Sequence, residues 1–135
     1  SVLLMEAYGF IDAKDPKFVS TVEQTKKRLL KNGLMYRYTN RDDFGLPSSS
    51  FTICTFWMIN SLYKIGQKED AQHLFEQLLK YGNHLGLFSE DIDFETKRLL
   101  GNFPQAYSHL ALIETAMLFS EGAQSTEDKI RKVLV

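Results

Sequence analysis

The sequence predicts an all-α fold built from three helical hairpins, each pairing an inner, buried helix with an outer, surface one. Two observations carry this reading. Helical segments alternate between apolar on every side and apolar along one stripe, and a helix must be covered wherever it is apolar. Connections alternate too: short turns over 11–15, 66–67 and 121–124, and long loops over 32–49 and 82–103. The order is inner, outer, inner, outer, inner, outer, so three hairpins stand side by side as half of a six-hairpin ring.

Segment 2–10 (Val2, Leu3, Leu4, Met5, Ala7, Tyr8, Phe10) is apolar almost all round and predicts the first inner helix. Segment 16–31 is amphipathic, with Phe18, Val22 and Leu29 on one stripe and lysines opposite. Asp15 is placed to cap it, Pro16 suits the first helical position, and Gly33 stops it. Segment 50–65, from Phe51 through Trp57 to Ile65, is apolar all round and ends at Gly66. Segment 68–81 carries Ala71, Leu74, Phe75 and Leu78 on one face. Segment 104–120 is apolar all round, and segment 125–134 returns to an amphipathic pattern with Ile130, Val133 and Leu134. The inner segments begin near residues 1, 51 and 104, a period of roughly fifty that tetratricopeptide-type repeats of about 34 residues do not share.

The 135 residues are read as one partial domain over 1–135. The net charge of -1, without a long basic run, argues against a nucleic-acid or anionic-membrane partner. No apolar stretch reaches the ~18 residues of a spanning helix. Cys54 is the single cysteine, which excludes an internal disulfide and fits a reducing, cytoplasmic compartment. The chain opens on Ser-Val-Leu-Leu-Met, as if inside an element, and is expected to be a fragment. No glycine-rich phosphate loop or zinc-ligand spacing occurs, so no cofactor is expected.

Long loops between buried helices are where function concentrates, and both lead into inner helices, so both belong to one end of the layers. The second holds Leu85-Gly86-Leu87-Phe88-Ser89-Glu90-Asp91-Ile92-Asp93, three carboxylates among apolar residues. A carboxylate against apolar walls has its proton affinity moved and serves as an acid or base; the same cluster also suits loop capping. The loop then runs through Gly101, Asn102, Phe103 and Pro104 to Gln105, Tyr107 and Ser108. These supply the donors, acceptors and rings that sugars need; the alternative is helix capping by Asn102 and a core position for Tyr107. In the first loop Arg37 lies between Tyr36 and Tyr38. Its fork fits vicinal hydroxyls or a carboxylate, Asp42 or Asp43 included. Phe51 opens the next inner helix and is placed to face a pocket, whereas Phe56 and Trp57 lie deeper and suit the core.

The run LGLFSEDIDFETKRLLGNFPQAYSHLALIETA over 85–116 resembles the C-terminal signature of glycoside hydrolase family fifteen, the glucoamylase, glucodextranase and trehalase-like enzymes. GLMYRY (33–38), SFTICTFW (50–57), LFEQLL (74–79) and SVLLMEAYGFIDAKDPKFVSTVE (1–23) follow in that family's order. The resemblance implies an (α/α)6 barrel, of which this chain would be the C-terminal half, and an inverting mechanism on α-glucosides with two carboxylates. It implies that Glu90 is the general base and that Arg37 binds hydroxyls of the non-reducing-end sugar. Phe51 and Tyr107 would line that subsite, with Asn102 and Gln105 at its rim.

One departure matters. The family's general acid lies in a Trp-Glu stretch, and the single Trp here, Trp57, is followed by Met58. The expected partners are therefore an α-linked glucose-containing carbohydrate and the N-terminal half of the same domain. Without that half the fragment is expected to be inactive and to self-associate through uncovered inner helices. Among substrates, maltose-type α-1,4 glucosides stand first and trehalose second. A non-catalytic helical scaffold that keeps the fold is the competing reading.

Overall fold

The computed structural model describes residues 1–43 and 45–133, with side chains to residue 122. Four α-helices form the frame: α1 (Pro16–Leu29), α2 (Thr52–Lys64), α3 (Lys68–Leu79) and α4 (Ala106–Val133). Short strands sit between them: β1 (Leu30–Lys31), β2 (Leu34–Met35), β3 (Ser49–Phe51), β4 (Asp91–Asp93) and β5 (Leu99–Leu100). The architecture is all-α, a partial and unclosed α/α toroid in which α2 packs against α1, α3 and α4.

Helix α2 is the inner element the sequence predicts: Ile53, Cys54, Phe56, Met58, Ile59 and Leu62 are all buried. Gly66, at φ +96°, ends it, with the Gln67 N–H returning to the Leu62 carbonyl. Helices α1 and α3 are amphipathic and bury only Phe18 and Val22, and Ala71, Leu74 and Leu78. Asp15 caps α1 by accepting the Lys17 N–H at 2.8 Å, with Pro16 in the first turn. Aromatic edges join the layers: Phe56 meets Phe75 and Phe88, and Phe75 stacks on Phe119 of α4.

Four local expectations need correction. Segment 2–10 is a single 3-10 turn over Val2–Leu4 followed by turns, with only Leu3 buried and Tyr8 and Phe10 exposed. Its apolar residues lack the surrounding neighbours that would hold a regular helix, since helical stability comes mostly from packing. Helix α1 stops at Leu29 because Asn32 and Gly33, both at positive φ, form a two-residue turn that pairs β1 with β2. Pro104 precedes the last helix, which starts at Ala106 after a cis Phe103–Pro104 bond. The turn expected at 121–124 is absent, because α4 runs through it. Gly122 marks a close approach: a Cβ there would fall 1.7 Å from the Tyr63 hydroxyl. The stripe expected at Ile130, Val133 and Leu134 lies outside the described side chains.

The two long loops meet at one end of the helices. Strand β4 of the second pairs antiparallel with β3 of the first, Phe51 opposite Asp91, and β5 completes the sheet. This small sheet carries the residues singled out above into one region.

Candidate active site

Glu90 sits immediately before β4, at the start of α2. Its carbonyl accepts the Thr52 N–H at 2.9 Å, and its own N–H donates to the Asn102 carbonyl at 2.9 Å. The half-buried side chain is held by one residue: Asn102 donates to Oε2 from Nδ2 at 2.8 Å and from its backbone N–H at 3.2 Å. Gly101 packs flat against it, at φ +73°, where a Cβ would lie 3.1 Å from Oε2. Among the described residues Oε1 has no hydrogen-bond partner.

The loop behind this carboxylate is rigidly tied. The Ser108 hydroxyl donates to the Ser89 carbonyl at 3.0 Å, and Ser89 donates to the Asp91 carbonyl. His109 bridges both limbs: Nδ1 meets the Gln105 carbonyl at 2.7 Å and Nε2 accepts the Phe88 N–H at 3.2 Å. Both bonds together require the neutral ring with its proton on Nδ1.

Glu90 and Asp91 line a pocket of about 370 Å³ with Arg37, Tyr38, Ser49 and Phe51. The Arg37 guanidinium lies over the Phe51 ring, 5.3 Å from its centroid. Tyr38, the neighbour of Arg37, donates to Asp42. Burial pushes the Asp91 carboxyl above the usual range, helped by neighbouring Glu90 and opposed by the Ser49 hydroxyl and Arg37. A larger adjoining hollow of about 900 Å³ shares Arg37, Tyr38 and Phe51 and adds Cys54, Trp57 and Tyr107. Burial drives the Cys54 thiol up to about 11, which leaves it unreactive at neutral pH. Among the described residues no group of three His, Cys, Asp or Glu is placed to hold a metal ion, and no helix is long and apolar enough to cross a membrane.

Residues 65–117, which include the Glu90 turn and its Asn102 clamp, match the model of Glycosyl hydrolases family 15. Over these residues the chain belongs to family 15. Similar curated proteins agree: a "Trehalase" of Mycolicibacterium smegmatis is 42% identical over 120 residues, covering 87% of this chain and 18% of that protein. A "Trehalase" of Thermoplasma volcanium is 37% identical over 131 residues, 96% of this chain and 21% of that protein. A third, from Thermoplasma acidophilum, is 37% identical over 134 residues, 98% of this chain and 23% of that protein. The chain thus spans about a fifth of the length of the curated relatives it matches. No solved structure gives a significant match.

Within the chain the predicted residues are partly gathered. Glu90, Arg37 and Phe51 share the smaller pocket, and Asn102 touches Glu90 directly. Tyr107 lies in the adjoining hollow, half-exposed, its ring edge-on to Trp57 at 6.2 Å. Gln105 contributes its backbone, donating to the Phe88 carbonyl. Ser49, whose hydroxyl donates to Asp91 Oδ2 at 2.5 Å, is a residue the sequence did not point to, and Gly101, named only as part of the loop, lies beneath Glu90. Ser49 carried no signal, because its pairing with Asp91 depends on strands only three residues long. Gly101 carried one, its place directly before Asn102 in the loop.

Proposed function

We propose that this chain is the C-terminal half of a family-15 catalytic domain and carries the general base of an inverting glycosidase, with trehalose as the substrate of the parent protein. The observation that carries the catalytic part is the state of Glu90. Asn102 fixes one carboxylate oxygen and leaves the other unpartnered among the described residues, beside an Arg37-lined pocket of sugar size. A general base needs that combination: a fixed orientation and an oxygen available to a water.

In this reading Oε1 of Glu90 takes a proton from the water that attacks the anomeric carbon. Arg37 and the Phe51 ring hold the hexose, the fork by its hydroxyls and the ring by its C–H face. The general acid protonates the departing oxygen from ~6.5–9.5 Å away, the separation that admits a water, and it comes from residues outside this chain. The order of substrates follows the relatives' names: trehalose moves ahead of the maltose-type α-1,4 glucosides that the motifs alone put first.

The test uses the full-length parent. Trehalose, maltose and dextran are each offered, and the fresh products are read by proton NMR before mutarotation. Inversion at one carbon of an α,α-1,1 linkage releases one β- and one α-glucose in equal amounts. Preferred cleavage of maltose would remove trehalose as substrate. Two α-glucoses from trehalose would remove the inverting mechanism, and no cleavage of any glucoside would favour the non-catalytic scaffold.

A further inference from the structure

The pocket beside Glu90 contains a second carboxylate that the roles above do not use. Asp91 is the first residue of β4, and strand alternation puts it on one face with Asp93 while Ile92 turns into the core, fully buried. Its cross-strand partner on that face is Phe51, and over the Phe51 ring lies Arg37. Arg37, Phe51 and Asp91 therefore lie together along the lining of one pocket.

Both charged groups have unused hydrogen-bonding capacity. Arg37 carries five N–H donors and forms no hydrogen bond or ion pair among the described residues. Asp91 accepts one bond, from Ser49 at Oδ2, while Oδ1 has no partner among the described residues. A half-buried carboxylate placed beside another carboxylate is costly to keep. Helix packing does not need it, because the buried anchor of β4 is Ile92. Ser49 holds the group in one orientation, as a preorganised acceptor requires.

We propose that Asp91 is a specificity-determining residue, whose Oδ1 accepts a hydrogen bond from one hydroxyl of the hexose while Arg37 donates to a neighbouring one. An acceptor-only group and a donor-only group lining one pocket read a pair of adjacent hydroxyls with a defined direction. A sugar lacking or inverting the hydroxyl that faces Asp91 leaves a desolvated carboxylate unpaired, which is the strongest route to rejection. This rests on the glucoside reading of the site.

The experiment uses the full-length parent and the monodeoxy analogues of trehalose. Wild-type protein is expected to lose about 10- to 100-fold in kcat/KM on one analogue. Asp91→Asn, nearly isosteric, is expected to lose a similar factor on trehalose, mostly in KM, and almost nothing further on that same analogue. Ser49→Ala, which only frees Asp91, is expected to show the same selectivity with a smaller loss. A merely structural role would lower all substrates alike, and that pattern, or an Asp91→Asn protein with wild-type rates, overturns the proposal. A wild-type parent that cleaves no glucoside overturns the glucoside reading, and this inference falls with it.

Discussion

Glu90 and Asp91 are neighbours in sequence with opposite environments. Asn102 gives Glu90 two donors on one oxygen, whereas Asp91 has one hydroxyl donor and a more buried setting. Removing the Asn102 side chain should let the Glu90 carboxylate rotate. Asn102→Ala in the parent is expected to lower kcat by about 10-fold with little change in KM, the signature of a positioning residue. The raised proton affinity of Asp91 has a consequence for stability. A carboxyl whose folded-state pKa lies above its unfolded value favours folding while protonated, and that contribution is lost as pH rises through the folded pKa. Asp91→Asn is therefore expected to raise the melting temperature slightly at neutral pH. The gap should close as pH falls below the ordinary carboxylate range. A melting curve series from pH 3 to 8 checks this, and a gap that widens in acid would contradict it.

At the scale of elements, what was legible in the sequence follows from length and local chemistry. Helices α1, α2 and α3 were readable because each has a continuous pattern and a local stop or start: Asp15 and Pro16 for α1, Gly66 for α2. The Asn32-Gly33 hairpin was equally local, and its dipeptide is a strong turn signal; reading Gly33 only as a helix stop concealed it. The β3–β4–β5 sheet was not readable, since its strands hold two or three residues and pair across a long stretch of chain. Yet that sheet aligns Phe51 with Asp91, so the site's outline came from motif and resemblance while its geometry came from tertiary pairing. The turn expected over 121–124 does not form, and Gly122 within it serves the close approach of the Tyr63 hydroxyl to α4. Two substitutions separate stability from geometry here. Asp15→Ala should cost about 1 kcal/mol of stability through the lost α1 cap, without touching kcat. Gly101→Ala should cost about 1–2 kcal/mol through its left-handed backbone, and should also displace Glu90, so activity falls by more than the stability change accounts for. Thermal unfolding and initial rates on the same parent variants distinguish the two.

For the whole molecule, the face of α4 is the conspicuous feature. Leu110, Ile113 and Met117 are 54%, 56% and 57% exposed, and recur at helical spacing on one side. An inner helix of a closed toroid would have that side covered. The chain on its own is expected to associate through it, and Ile113→Lys should shift the population toward monomer in sedimentation at increasing concentration. This chain alone is expected to give no detectable turnover of trehalose. The most direct test of the account is the rate of the full-length parent carrying Glu90→Gln. Gln keeps the shape and the Asn102 contact at one oxygen but cannot take a proton from water. Glu90 as general base predicts a fall in kcat of about 100- to 10,000-fold, with trehalose still bound at near wild-type affinity by calorimetry. A variant that turns over trehalose at near wild-type rate would contradict it.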